Sequence, residues 1–383
     1  MTLAQWPRRR LRLGMVGGGI GGNIGTAHRT AALMDGRWDL VAGVLSRDAE
    51  RGRQSAALWQ IDPARSYDTV EAMAKAEAAR EDGIDAVAIC TPNYDHHPSA
   101  MAFLEAGIHV ICDKPLTTHV ALAEELAATA RAKNVIFAVT HTYSGYPMVR
   151  AAREMIATGR LGAVRSVAVE YASEYQTNGA EGWQNDPELS GPLGIVAGTG
   201  THAHHLAEFV TSLRVTELSA DLATLVPGNR LDDHVTMHLR FSNGARGYLW
   251  NTTLAPGNTN GLSIRVYGDK GGIAWHQERP ETLAFTPTGG VTRLITRGSE
   301  EAGGAASRAT RVPTGHPEGY LEAFANLYCG IADAIAAYEE GKQSGPFDFP
   351  TVEDGARGVR FMHAALRSAG SDSRFVALDG ELD

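Results

Sequence analysis

Leu11-Arg12-Leu13-Gly14-Met15-Val16-Gly17-Gly18-Gly19-Ile20-Gly21-Gly22-Asn23-Ile24-Gly25 is a short apolar run that breaks into glycines and continues as a helical pattern. Gly17, Gly19 and Gly22 satisfy G-x-G-x-x-G. Glycines let a backbone turn tightly and let a pyrophosphate approach peptide N–H groups at a helix start, with the middle glycine opening that approach. In a chain with 43 glycines the spacing alone says little. Its setting decides: a strand precedes, a helix over Gly25–Asp35 follows, and further β-α units come after. Gly17, Gly19, Gly22, Asn23, Ile24 and Gly25 are therefore candidates for binding a dinucleotide.

Outward from that loop, Leu40–Leu45, Ala86–Cys90, Ile108–Cys112 and Val135–Val139 read as strands. Asp48–Trp59, Thr69–Arg80, Ser99–Ala106 and Val120–Ala132 read as the intervening helices. Strands separated by helices predict a doubly wound parallel sheet of Rossmann type, an α/β fold with ligands at one edge. After Thr140 the texture changes. A helix is expected over Pro147–Thr158, then strands Val164–Tyr171, Val215–Leu225, His234–Phe241, Gly247–Thr253 and Leu262–Tyr267. Ser242-Asn243-Gly244 is a hairpin signal. Successive strands predict a second, α+β domain with an open, mostly antiparallel sheet. Helices are expected beside it over Gly200–Ser212 and Tyr320–Glu340, and Gly/Ala/Ser-rich Ser299–Arg311 reads as a mobile loop. The domain boundary is placed near residue 141, with a last helix over Thr351–Ala369 expected to return to the first domain.

With 383 residues the chain exceeds one ordinary core, so two domains are expected. Hydrophobic residues at 43% and charged residues at 21% exclude a disordered chain or a coiled coil. No apolar run approaches the roughly 18 residues that span a membrane. Met1–Arg12 is rich in Arg and has no signal-like apolar region, so a cytoplasmic protein is expected. The net charge of −9 argues against nucleic-acid or anionic-membrane partners. Cys90, Cys112 and Cys329 are too few for a disulfide framework and lack zinc spacing.

The second strand ends in Ser46-Arg47-Asp48. An acid at that tip would grip a ribose 2′-hydroxyl and repel a 2′-phosphate. Ser46 does not exclude a phosphate and Arg47 can bind one, a slight lean to NADP over NAD. Arg47 can equally stack on adenine. Asp48 is displaced, in a position to cap the next helix.

Ile24-Gly25-Thr26-Ala27-His28, Thr91-Pro92-Asn93 with His96, Asp113-Lys114-Pro115, Gly200-Thr201-His202 and His316-Pro317-Glu318-Gly319-Tyr320 occur together. In these segments the chain resembles the Gfo/Idh/MocA family, the glucose–fructose oxidoreductase and inositol dehydrogenase group, over nearly its whole length. The resemblance implies a Rossmann domain that binds NAD or NADP, to which Thr91, Pro92, Asn93, His96 and Lys114 contribute, followed by an open-faced sheet domain. The family's Glu-Lys-Pro motif matches Asp113-Lys114-Pro115, which gives Lys114 the catalytic lysine role. Its Asp-x-Gly-x-His motif matches Gly198-Thr199-Gly200-Thr201-His202, which gives His202 the catalytic histidine role. Two departures stand out. The glycine loop is a few residues longer than usual, and Gly198 replaces the motif's aspartate.

The same residue types suit the chemistry. Oxidising a secondary alcohol removes a proton from oxygen and a hydride from carbon. A base titrating near neutrality favours histidine, and the developing alkoxide wants a fixed cation such as Lys114. His202, His204 and His205 crowd together, but their spacing does not put all three on one helix face, so no metal is expected. His205 is expected to reach the site and His204 to be a partly buried helix residue. Tyr143, Trp183 and Gln184 are candidate substrate contacts, with Trp183 able to stack on a sugar face. Gly198 leaves room and removes charge, which favours a bulkier or anionic substrate.

The leading expectation is an NAD(P)-dependent dehydrogenase oxidising a secondary hydroxyl of a sugar, glycoside or cyclitol. One alternative is a redox-assisted glycoside hydrolase that oxidises a ring hydroxyl transiently, eliminates the aglycone, adds water and returns the hydride. Another is a nucleotide-binding sugar sensor without catalysis. A sheet with one bare face favours a homodimer or homotetramer.

Overall fold

The computed structural model describes residues 9–179, 182–342 and 345–379. Most of the Arg-rich stretch Met1–Arg12 thus lies outside the described residues. The chain divides into two compact units. One comprises Met1–Thr117, Ala121–Thr140 and Phe324–Ala356; the other comprises Thr118–Val120, His141–Ala323 and Arg357–Asp383.

The first unit alternates β1 (Leu11–Gly17), α1 (Asn23–Met34), β2 (Trp38–Val44), α2 (Ala49–Leu58), α3 (Val70–Ala78), β3 (Ala86–Cys90), α4 (His96–Glu105), β4 (His109–Cys112), α5 (Val120–Lys133) and β5 (Phe137–Val139). Its strands form a parallel sheet in the order β2-β1-β3-β4-β5. Both sheet faces are covered, so β3 is buried at every residue rather than at alternate ones. The strand order reverses between β1 and β3, and ligands bind at such a switch point. The Asp48 carboxylate accepts from the Arg51 N–H at 2.7 Å and starts α2. Thr69 does the same for α3 through the Ala72 N–H at 3.2 Å. Each such cap stabilises its helix by about 1 kcal/mol. The later part of the helix Tyr320–Glu339 belongs to this unit and adds Phe324, Tyr328 and Ile331 to its core.

The second unit carries a nine-stranded sheet. Its strands are β6 (Val164–Ala172), β7 (Val215–Ala223), β8 (His234–Phe241), β9 (Arg246–Thr252), β10 (Gly261–Gly268), β11 (Gly271–His276), β12 (Thr282–Pro287), β13 (Arg293–Thr296) and β14 (Val376–Ala377). The order is β13-β12-β11-β10-β6-β9-β8-β7-β14. Among the described residues of this sheet, only β6 and β9 pair in parallel. The β8–β9 hairpin turns at Gly244, whose φ of +88° suits glycine. In β8, Val235, Met237, Leu239 and Phe241 are buried, so one face carries the core. That core also takes residues of α6 (Pro147–Ala157) and α8 (Thr201–Thr211). A short α7 (Pro187–Ser190) lies between them in sequence.

Four strands, β11 to β14, go beyond the sequence expectation. They are short, and their buried residues are thinly spread: Ile273 and Trp275, Leu283 and Phe285, Ile295. Ser299–Arg311 is a correction. It contains a turn at Glu300–Ala302 and α9 (Gly303–Arg308) rather than a mobile loop. Ala302, Ala306 and Ala309 are buried. A side chain on Gly303 would overlap the Glu154 carboxylate of α6, which also accepts from the Ala305 N–H at 3.0 Å. The small residues serve close packing, not flexibility. Among the described residues no helix is long and apolar enough to cross a membrane.

Candidate active site

In the first unit the glycine loop leaves β1 with Gly17 and Gly18 at φ of +74° and +73°, a region side chains avoid. A Cβ on Gly18 would lie 2.6 Å from the Gly25 Cα, and one on Gly25 would overlap the Gly18 carbonyl oxygen. Loop and first helical turn thus meet backbone to backbone. Gly19 has another task. Its N–H donates to the Leu45 carbonyl at 3.2 Å, and its Cβ would lie 2.6 Å from both that oxygen and Ser55 Oγ. The middle glycine makes room for β2 and α2. Gly21, in the longer part of the loop, faces open space at φ +88°.

The loop lines a cavity of about 420 Å³. Gly17, Gly19, Gly22, Ser46, Arg47, Thr91 and Pro92 share its wall with Arg51, Asp68 and Tyr94. Arg47 donates to the Tyr94 hydroxyl at 2.9 Å. Arg51 escaped the sequence analysis because nothing local marks it; it reaches the cavity from the first turn of α2. Thr91 Oγ1 is buried and finds no hydrogen-bond partner among the described residues. A positive-φ glycine loop at a helix start, an unsatisfied hydroxyl and a cavity of this size together fit a dinucleotide.

Asn23, Ile24 and Gly25 form the start of α1 and do not line the cavity. Asn93 is buried in a turn over Asn93–Asp95. His96 opens α4. It is buried, with its ring nitrogens 2.8 Å from the Pro115 carbonyl and 2.9 Å from the Thr91 carbonyl. It lies between the end of β3 and the Lys114-Pro115 segment. Lys114 follows β4 and is half-buried. Asp113 accepts from the Lys114 N–H at 2.8 Å and from Thr140 Oγ1 at 2.9 Å. Burial pushes the Lys114 ammonium below its ordinary range, while Asp113 pulls it back up.

In the second unit, α8 is entered through one turn of π-helix over Val196–Gly200, an irregularity frequent at functional sites. The Asp232 carboxylate accepts from the Gly194 N–H at 2.5 Å and the Val196 N–H at 3.0 Å. Asn251 donates to Thr199 Oγ1 at 2.7 Å and to the Tyr171 carbonyl at 3.0 Å. A Cβ on Gly198 would meet nothing within 4 Å.

His202 is buried at the start of α8. The Tyr143 ring stands perpendicular to it at 4.8 Å and the His141 ring at 5.5 Å. His205 stacks on His141 at 4.4 Å. Tyr143 donates to the Tyr171 hydroxyl at 2.5 Å, Tyr171 to Asn260 Oδ1 at 2.7 Å, and Asn260 back to the Tyr143 hydroxyl at 3.3 Å. That closed cycle occupies the Tyr143 hydroxyl, and burial pushes it and the Tyr171 hydroxyl up. The Tyr143 ring thus packs against His202 while its hydroxyl sits in that cycle. Trp183 is half-buried and Gln184 exposed in the turn Gly182–Asn185. Asn185 ties that turn to the β7–β8 connection through Gly228 and Arg230. His204 stacks on Phe361 at 4.3 Å with Nε2 3.4 Å from Glu208. Burial would raise the Glu208 carboxyl, but His204 and Arg357 together hold it well below the usual range. Among the described residues no three His, Cys, Asp or Glu side chains are arranged to hold a metal. His141 escaped the sequence analysis because it is 61 residues from His202 along the chain.

Residues 11–141 match the oxidoreductase family model with an NAD-binding Rossmann fold, and residues 149–274 match the Gfo/Idh/MocA C-terminal domain. An uncharacterized oxidoreductase of Bacillus subtilis (strain 168) is 33% identical over 379 residues, 96% of each chain. The chain belongs to the Gfo/Idh/MocA oxidoreductase family. Its first unit contains the family's NAD-binding domain, and the family's oxidoreductases act on CH–OH groups. An inositol dehydrogenase homolog from Azotobacter vinelandii, solved with NADH and myo-inositol, is 34% identical. It has a TM-score of 0.88 over 97% of this oxidoreductase and 98% of its own chain. Levoglucosan dehydrogenase of Pseudarthrobacter phenanthrenivorans is 28% identical over 306 residues, covering 72% of this chain and 76% of its own.

Proposed function

We propose that this oxidoreductase oxidises a secondary hydroxyl of a sugar, glycoside or cyclitol, with His202 as the base and Lys114 as the cation at the reacting oxygen. NAD(P), when bound, supplies the hydride acceptor. His202 takes the hydroxyl proton, and the Lys114 ammonium stabilises the negative charge that grows on oxygen. Burial strips water from Lys114, so its field at that oxygen is poorly screened. Arg47 and Arg51 beside Ser46, with no acid at the strand tip, support a preference for NADP over NAD. The sheet face bearing half-exposed Tyr248 and Tyr267 supports a homodimer or homotetramer through the second unit.

The observation that carries the substrate class is Gly198, which leaves open space one turn before His202. An acid there would present a charged acceptor to a small polyol. Without it, a glycoside, or a sugar with a bulky or anionic substituent, gains the vacated volume. The test is kcat/KM for the parent and Gly198→Asp over inositol, free hexoses, glycosides and sugar acids, scoring reduced cofactor and released aglycone separately. The parent is expected to prefer glycosides or substituted sugars, and Gly198→Asp to shift preference roughly tenfold towards inositol. Efficient oxidation of inositol by both proteins would overturn this assignment. Aglycone release without net reduced cofactor would establish redox-assisted hydrolysis instead.

A further inference from the structure

We propose that His141 is a positioning residue whose aromatic ring orients His202. This rests on His202 being the base proposed above. A catalytic imidazole must be held in one ring orientation for its nitrogen to meet the proton it takes. Residue i−4 on a helical turn is a natural neighbour for that task. Here it is Gly198, which brings no side chain. Lateral support comes instead from two perpendicular rings, Tyr143 at 4.8 Å and 85° and His141 at 5.5 Å and 86°.

His141 is itself held from two sides. Its carbonyl accepts from the Ser144 N–H at 3.2 Å and from Ser144 Oγ at 2.9 Å. Its ring lies flat on His205 at 4.4 Å and 7°. His205 leans in turn on Phe209 at 5.7 Å, and the Arg153 guanidinium sits 4.4 Å from the Phe209 ring centre. A braced column of rings therefore flanks His202. When the substrate O–H bond breaks, its proton passes to an imidazole nitrogen of His202; NAD(P), when bound, would accept the C–H electron pair as hydride. The His141 contact holds the ring of His202 in the orientation that meets the proton.

The experiment compares His141→Phe, which keeps a ring, with His141→Leu and His141→Gln, which do not. Each is assayed for kcat, KM and thermal midpoint beside His202→Ala. The phenylalanine variant is expected to keep kcat within about threefold of the parent. The leucine and glutamine variants are expected to lose kcat about tenfold or more with KM nearly unchanged. Folding is controlled because at least one of these two non-aromatic variants must melt near the parent for the comparison to be read. Parental kcat in a folded leucine or glutamine variant would overturn the inference. So would a phenylalanine variant as slow as the other two, since an imidazole nitrogen would then be required. Loss in His202→Ala with no loss in the leucine variant sinks only the role of His141. Retained turnover in His202→Ala sinks the base assignment itself.

Discussion

The dinucleotide cavity and the His202 cluster are built from opposite materials. The cavity is shaped by backbone: Gly17 and Gly18 turn at positive φ, and Gly18 meets Gly25 with no side chain between them. The His202 cluster is shaped by side chains drawn from distant parts of the second unit, with Tyr143, Tyr171 and Asn260 closing one hydrogen-bonded cycle. A backbone site tolerates almost no added atom but accepts any chain that folds that way. A side-chain site tolerates small changes of volume but depends on each ring and hydroxyl it recruits.

The sharpest way to break this contrast lies within the loop. Gly25→Val puts its Cβ onto the Gly18 carbonyl, so the loop must shift and NAD(P) affinity is expected to fall roughly 100-fold or more. Gly21→Ala meets no neighbour and carries only the strain of φ +88°, about 1 kcal/mol. Calorimetry that finds equal losses in both variants would show that close backbone approach does not shape the cavity.

A second prediction concerns a buried group in the first unit. His28 is fully buried, with Nδ1 2.8 Å from the Tyr328 hydroxyl. Burial, the largest influence, lowers its pKa from 6.5 to about 4. The folded state therefore refuses a proton that the unfolded state takes up below pH 6.5. Its contribution to stability is complete above that value, shrinks as pH falls towards about 4, and levels off below. The full loss is roughly 3 kcal/mol. His28→Gln is expected to flatten the urea-unfolding free energy across that window. An unchanged acid slope would mean that other groups, His109 among them, carry it.

The smallest effect is expected at cofactor choice. Ser46→Asp adds a negative charge where Arg47 and Arg51 line the cavity. The NADP-to-NAD affinity ratio should drop about tenfold, through repulsion of the 2′-phosphate. A ratio that stays constant would place the 2′-position elsewhere.

Legibility in the sequence follows the same divide. β1, the glycine loop and α1 lie within a few turns of one another along the chain, so strand period, glycine spacing and helix period declare them together. The β8–β9 hairpin was equally plain, because alternation and Asn243-Gly244 are local signals. His202 was recognisable only through its motif. The His141 ring, the Asn251 bond to Thr199 and the Tyr171–Asn260 link join residues far apart in sequence, and no periodicity announces such pairs. Gly/Ala-rich α9 misled for a related reason: small residues mark either flexibility or close packing, and only the Glu154 contact of Gly303 decides.

The most direct measurement of the central claim is a double-mutant cycle on Lys114→Ala and His202→Ala under saturating NAD(P), with cofactor affinity measured in every variant. Each single change is expected to cut kcat roughly 100-fold or more while leaving cofactor binding nearly intact. If the two groups serve one proton-and-hydride step, the double variant should be scarcely slower than either single one. Losses that multiply in full, or a single variant that keeps parental turnover, would contradict the assignment of Lys114 and His202 to the same reacting hydroxyl.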